Sequence, residues 1–497
     1  MTTDVSPSNG SQTGTAVDHS ARLLGLLKAQ KADFLQAGTP SVELRRNRID
    51  RLTLLLTENT DLFSEALNAD FGNRPHTINL MSEVAGILPD LGVTRRSLAK
   101  WVQPDRLRST TFMGTPTVIE KKPLGVVGVI GPWNFPISLV AQPAASALAA
   151  GNRVMIKFSE VTSRTAEVFA EKVAEYFDPT EMTVVTGGVE VGSAFCALPF
   201  DHLFFTGSPG VGAIVATAAG KNLVPVTLEL GGKNPAVISR HADTATTARR
   251  VMAGRLANGG QVCLCPDYAF VPRDQIDIFV EAAIDQARLS ATADSGAGLV
   301  SIVNEKNFDR VTALIDDARA KGAHVSDTGT GHDRVKRRIA PTILQNVTTA
   351  MTIADEEVFG PVLTVLPYDS LDEVVDYIAA RPSPLAAYWY GPNGSELDSF
   401  LDRTLSGGVS VNDFALHCAM GSAPFGGVGR SGSGAYHGKT GFDTFTHHRA
   451  VTISRLPFSL AKMITPPYSP LFKRAVPAYI RFERRAAAKR LARFRQA

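Results

Sequence analysis

Cysteine is scarce in this chain, with four in 497 residues. That is too few to staple a protein of this length, so no disulfide framework is expected and a reducing, cytoplasmic setting is the simpler reading. Long apolar runs are missing too. The most apolar stretch, Leu124 to Ala150, is broken by Gly131, Pro132, Asn134, Pro136, Gln142 and Pro143. In lipid those breaks would leave backbone groups unpaired, so the stretch reads as a buried loop and helix. The first twenty residues contain no Lys, Arg or aromatic residue, which excludes the pattern of a signal peptide and reads as a disordered leader. The net charge of only +3 is too small to point to nucleic acid.

What is present is ordinary for a large globular protein. Hydrophobic residues make up 44% and charged residues 20%, with 42 glycines and 29 prolines, a balance that suits a loop-rich α/β protein of about three domains. The small net charge hides an asymmetry. From Lys473 onward nine basic residues face one acid, Glu483, so a basic tail follows an acidic body. Within that tail Ile480, Ala487, Leu491 and Phe494 share one helical face, with Arg481, Arg484, Arg485 and Lys489 elsewhere around it. That pattern fits a membrane-surface helix, the alternatives being a solvated tail or one packed on a partner subunit.

The pattern along the chain changes twice. Arg22 to about Lys100 reads as helices, with Thr39 or Ser41 able to cap the second. From Val118 short apolar runs alternate with helical ones. Strands are expected at Val126–Ile130, Arg153–Lys157, Thr183–Val185 and Leu203–Phe205, and helices at Leu139–Ala150, Ser163–Tyr176 and Val191–Ala197. This alternation implies a parallel sheet wound with helices, the usual frame for a dinucleotide. A second alternating region follows, with strands at Ala236–Ile238, Tyr268–Val271, Pro361–Pro367 and Gly408–Val411 and helices at Thr244–Asn258 and Ile276–Leu289.

Chemistry-bearing residues cluster in a few glycine-rich or apolar segments. Cys263, in "NGGQVCLCPDY", sits where a helix gives way to a strand, placed to act as a nucleophile with an amide N–H beside it. An inert buried thiol is the alternative, and no further Cys or His pair stands near enough to make Cys263 and Cys265 a zinc site. Glu229, in "VTLELGGKNP", is a carboxylate in an apolar strand, where burial would raise its pKa as a general base requires. An ion pair with Lys233 is the competing reading. Asn134, in "GPWNFP", is either an oxyanion donor or the cap of the helix beginning near Pro136. Glu357, in "ADEEVFGPVL", is a loop acid beside Phe359. The glycines Gly207, Gly210 and Gly212 of "FFTGSPGVG" follow a strand and precede a helix, as a phosphate site would, yet their spacing suits equally a turn needing positive φ.

Seven segments, "GPWNFP", "VMIKFSE", "FFTGSPGVG", "LELGGKNP", "NGGQVC", "EEVFGP" and "PFGGVGRSGSGAYHG", occur in this order. Together they resemble the aldehyde dehydrogenase superfamily from about Leu52 to Phe445. The ending resembles the class 3 branch, which includes fatty and aromatic aldehyde dehydrogenases and the bacterial coniferyl aldehyde dehydrogenases.

The resemblance implies an α/β fold with a Rossmann-type cofactor domain (21–115 and 124–226), a catalytic domain (227–445) and a β-hairpin oligomerisation arm (116–123 and 446–464). The leader (1–20) and the basic tail (465–497) flank these. It further implies oxidation of a hydrophobic aldehyde to a carboxylic acid through a thiohemiacetal and a thioester on Cys263. Asn134 and the Cys263 N–H would hold the oxyanion, and Glu229 would activate water. Lys157 and Glu160 would flank the adenosine ribose, with Gly207 and Ser208 at the phosphate-binding helix start. Glu357 would hold the nicotinamide ribose and Phe359 would pack by the ring. Glu160 favours NAD, leaving NADP as a poorer cofactor. Trp133, Phe414 and His417, with Cys418 and Met420 near the last two, would border the aldehyde. A homodimer is expected. The rival readings are a cysteine-dependent esterase, a fatty aldehyde dehydrogenase, and a non-catalytic protein on the same fold.

Overall fold

Ser41 begins the first capped helix, its hydroxyl accepting the Leu44 N–H at 3.1 Å, and Val42–Glu58 follows with Leu52, Leu55 and Leu56 buried along one face. In the computed structural model, which describes residues 13–107, 116–292, 299–455 and 459–494, helices fill the chain as far as Trp101. The first helix runs Thr13–Ala37. It therefore begins inside the stretch expected to be a disordered leader, of which residues 1–12 lie outside the described residues.

Two sheets organise most of the remainder. The first has six strands in the spatial order Gly432–Ser433, Val226–Leu230, His202–Gly207, Val126–Ile130, Arg153–Lys157 and Met182–Val185. All its pairings are parallel except the first. Every residue of Arg153–Lys157 is buried, as expected of a strand covered by helices on both faces. The second sheet has seven strands in the order His324–Asp327, Thr342–Gln345, Val362–Tyr368, Pro266–Pro272, Asn234–Ile238, Ala386–Tyr390 and Gly408–Val411. Val226–Leu230, which carries Glu229, belongs to the first sheet, although a boundary at 226/227 would assign it to the second domain. Hydrogen bonding to His202–Gly207 draws it there.

Chain contacts divide the protein into two units, residues 1–102 with 122–447, and residues 103–121 with 448–497. Both large sheets lie in the first unit and feed one apolar core, in which Val127 and Val154 cluster with Ala236, Ala269 and Leu363. A three-stranded sheet sets Thr117–Pro123 between Thr446–Thr452 and Asp105–Leu107, the last a strand that its short polar sequence does not signal. The second unit ends in the helix Pro470–Phe494. No helix among the described residues is long and apolar enough to cross a membrane.

The helix Ser138–Ala150 lies at the centre of the first core, almost wholly buried, and Gly151 closes it in the left-handed conformation at φ 101°. Its first turn has no side-chain cap of its own. Glu83 supplies one from a distant segment, accepting the N–H groups of Ile137 at 3.1 Å and Ser138 at 2.9 Å. The other oxygen of Glu83 pairs with Arg74 at 2.7 Å, and both side chains are buried. Glu83→Ala would strand the Arg74 guanidinium and two helix N–H groups, so a loss of about 3–5 kcal/mol is expected. A urea midpoint unchanged from wild type would contradict it.

Candidate active site

The helix Thr244–Leu256 ends in a turn where Asn258, Gly259 and Gly260 all adopt positive φ, at 49°, 66° and 80°. A side chain cannot fit at the last of these. A Cβ on Gly260 would stand 2.2 Å from the Gly360 carbonyl, so two loops meet there backbone to backbone. The turn sends Gln261 inward, its amide donating to Asn258 O and Ser301 O and accepting from Val303 N. Asn234 Nδ2 then donates to the carbonyls of Cys263 at 2.7 Å and Cys265 at 3.0 Å. With its backbone held on both sides, Cys263 is half-buried as a residue, whereas Cys265 is fully buried and its thiol points at Gly254 O. All four cysteines are free thiols, and no cluster able to hold a metal exists among the described residues.

Asn134 reaches this loop. Its Nδ2 donates to Gln261 O at 3.0 Å, while the capping role that competed for Asn134 belongs to Glu83. Glu229 is 3% exposed, and neither of its carboxyl oxygens has a hydrogen-bond partner. Burial alone pushes its pKa well above the carboxylate range. The ion pair with Lys233 does not form, because Lys233 donates instead to Asp267 at 3.1 Å and to the Glu356 carbonyl at 3.0 Å. The Cys263 thiol is likewise held well above its ordinary range, first by burial and then by the negative charge of Glu357, Cys418 and Glu229 around it.

Glu357 and Phe359 come to the same place from the other sheet. The Glu357 carboxyl occupies the space a Cβ on Gly231 would need, with an oxygen 2.2 Å from that position. Burial and the neighbouring Asp267 charge raise its pKa to about 8. Phe359 holds φ 48°, strained for a bulky residue, and meets the edge of Trp133 at 5.2 Å between ring centroids. The loop carrying Asn134 and the loop carrying Glu357 are thereby packed together.

The other expected cofactor residues line the ends of the parallel strands. Lys157 is buried at the end of its strand, its ammonium donating to Phe158 O, and Glu160 is exposed just beyond. Ser208 caps the helix Pro209–Gly220. None of Gly207, Gly210 and Gly212 has positive φ, so the turn reading fails. A Cβ on Gly212 would meet Leu230 at 2.7 Å, whereas above Gly210 the space is open. The N-terminus of the helix Pro209–Gly220, the buried Lys157 ammonium and the Glu160 carboxylate, all at or just beyond the ends of parallel strands, fit a dinucleotide.

Two expected pocket residues are held by neighbours. Phe414 stacks on Tyr388 at 5.9 Å. His417 bonds Ser410 Oγ at 2.7 Å and lies against Phe425, with burial lowering its pKa to about 4. Sequence reasoning passed over Glu83, Arg74, Asn234, Arg255 and Asp267. Asn234 alone carried a usable signal, as an amide between glycines and a buried strand.

The profile of the aldehyde dehydrogenase family matches residues 3–451. A coniferyl aldehyde dehydrogenase of Pseudomonas sp. is 43% identical over 452 residues, covering 90% of this chain and 92% of that protein. The substrate-bound state of Staphylococcus aureus AldH superposes with a TM-score of 0.85 at 34% identity, covering 92% of this chain and 99% of that one. A Mycobacterium tuberculosis aldehyde dehydrogenase complexed with NAD+ gives a TM-score of 0.80 at 29% identity, covering 90% and 92%.

The electrostatics of the site predict how its thiol reacts. In the cofactor-free protein, iodoacetamide labelling of Cys263, followed peptide by peptide in a mass spectrometer, should be slow at pH 7 and still rising beyond the ordinary thiol range. Glu357→Gln removes a negative charge that opposes the thiolate, so labelling at alkaline pH should be faster in that variant. A rate that levels off near neutrality would contradict the prediction.

Proposed function

The chain belongs to the aldehyde dehydrogenase family, and on that premise we propose that it oxidises a hydrophobic aldehyde to the carboxylic acid, with Cys263 as nucleophile and Glu229 as general base. The observation that carries this reading is the buried Glu229 carboxyl with both oxygens unpartnered, in a site whose charges are felt at Cys263. The Cys263 thiol gives up its proton to solvent, its sulfur adds to the carbonyl carbon, and the Asn134 amide and the Cys263 N–H receive the negative oxygen. Lys157, Glu160, Gly207, Ser208 and Glu357, with Phe359 beside them, would hold NAD, which when bound would supply the acceptor for the hydride that leaves this carbon. The acyl group then remains on Cys263 as a thioester. In its carboxylate form Glu229 takes a proton from water, the resulting hydroxide attacks the thioester carbon, and the C–S bond breaks as the departing Cys263 sulfur takes that proton back from Glu229, leaving the free acid and the thiol. The Glu160 carboxylate suits two ribose hydroxyls and repels a 2′-phosphate, which makes NADP the poorer cofactor.

For the substrate we favour an aryl aldehyde. The name of the Pseudomonas relative points to coniferyl aldehyde, and Trp133 and Phe414 supply aromatic surface nearby. A homodimer is inferred through the three-stranded sheet, which leaves Thr446–Thr452 at an edge. Four free thiols suit the cytoplasm. The tail is read as a contact for an anionic membrane surface. At about 100° per residue, Leu471, Val476, Tyr479, Ile480 and Phe482 fall within about 180° of its helix, and Lys473, Arg474, Arg481, Arg484 and Arg485 within about 120° of the opposite side. All five apolar side chains are exposed.

NADH absorbance on mixing with coniferyl aldehyde, benzaldehyde, hexanal and decanal tests the activity. Coniferyl aldehyde should turn over fastest, and Cys263→Ser should abolish the signal. Glu229→Gln should keep a burst of one NADH per site while its steady rate falls by about 10²-fold or more; loss of the burst would remove Glu229 from the hydrolytic step alone. For the tail, the full chain should sediment with phosphatidylcholine vesicles only when they contain phosphatidylglycerol. A chain ending at Ile464 that sediments equally well would refute the membrane reading.

A further inference from the structure

Arg255 lies at the end of the helix Thr244–Leu256 and is 1% exposed. Each of its five N–H donors has a partner. Nε donates to Gly360 O at 2.8 Å and one Nη2 hydrogen is shared with the same carbonyl, while the other goes to Gly260 O at 3.2 Å. Nη1 donates to Pro266 O at 3.0 Å and to Asp267 Oδ1 at 2.9 Å. Asp267, also 1% exposed, takes the Val358 N–H between its two oxygens, both at 3.3 Å, and the Lys233 ammonium.

These contacts fall on three segments. Gly260 is three residues before Cys263, Val358 and Gly360 bracket Phe359 and follow Glu357, and Lys233 lies four residues beyond Glu229. We propose that Arg255, braced by Asp267, is a positioning residue that fixes the Cys263 loop against the Glu357–Phe359 loop. Only a planar fork can do this. A lysine would keep the charge but has three donors on one atom and cannot reach Gly260, Gly360, Pro266 and Asp267 together. The two loops touch where a Cβ on Gly260 would strike the Gly360 carbonyl, so releasing the fork lets them slide at their point of contact. A misplacement of about 1 Å at a reacting group costs about 10²-fold in rate.

The proposal rests on the reading of Cys263 as the nucleophile, and its test separates the two. Arg255→Lys is compared with Arg45→Lys, which removes an equally buried guanidinium from the carbonyls of Ala149 and Ala150, away from the site. Three quantities are measured: the melting temperature, kcat and KM for the aldehyde, and the pH profile of Cys263 alkylation in the cofactor-free protein. Both variants should melt lower. Only Arg255→Lys should lose at least tenfold in kcat, with a smaller change in KM, and show a displaced alkylation profile. Asp267→Asn, which keeps the shape and a hydrogen-bond acceptor, should shift the profile the same way and serves if the lysine variant does not fold. If a folded variant keeps the wild-type kcat and alkylation profile at any loss of melting temperature, Arg255 is structural and the proposal fails while Cys263 stands. If Cys263→Ser remains active, the functional reading fails while the alkylation profile still reports on the clamp.

Discussion

A carboxyl group closed off from water with neither oxygen bonded is costly, and burying Glu229 in that state is the constraint around which the rest of the site is arranged. Burial makes such a group give up its proton reluctantly, so its pKa lies well above the carboxylate range. In the mechanism proposed above, water is the partner of this carboxyl. The cost is met by the surrounding fold. The strand Val226–Leu230 is paired on both sides, so the carboxyl cannot swing out to solvent.

Two buried ion pairs hold the loops that converge on this carboxyl. Glu83 with Arg74 fixes the start of Ser138–Ala150, and with it the loop bearing Trp133 and Asn134. Arg255 with Asp267 fixes the Cys263 and Glu357 loops. Replacing a buried ion pair with apolar residues is often neutral for stability, so their value here lies in geometry. Arg255 and Asp267 together reach backbone groups of both loops, and Glu83 reaches a helix start 54 and 55 residues away, as an apolar side chain cannot. The site thus has few charges of its own and is framed by charges set one layer out.

Much of this was legible in the sequence because it is local. The apolar runs at Val126–Ile130, Arg153–Lys157 and Gly408–Val411 are strands with those same ends, and Ser163–Tyr176 is a helix with those ends. Cys263, Glu229 and Asn134 were legible as polar groups standing in apolar or glycine-rich surroundings. The clamps were not. Arg255 meets Gly360 across 105 positions and Glu83 meets Ser138 across 55, and neither spacing has a periodicity to betray it. The weakest reading was of polar segments. The helix Thr13–Ala37 begins in what looked like leader, and Asp105–Leu107 is a strand only because Thr117–Pro123 offers it an edge.

The central claim is that the reaction passes through an acyl group on Cys263 which only Glu229-assisted water removes. Mass spectrometry of Glu229→Gln, quenched in acid after mixing with NAD and coniferyl aldehyde, tests it most directly. The account predicts that the peptide containing Cys263 gains the mass of the acyl group and that those containing Cys196 and Cys418 do not. An unmodified Cys263 peptide in a sample that has produced its burst of NADH, or an acyl group found on Cys418 instead, would contradict it.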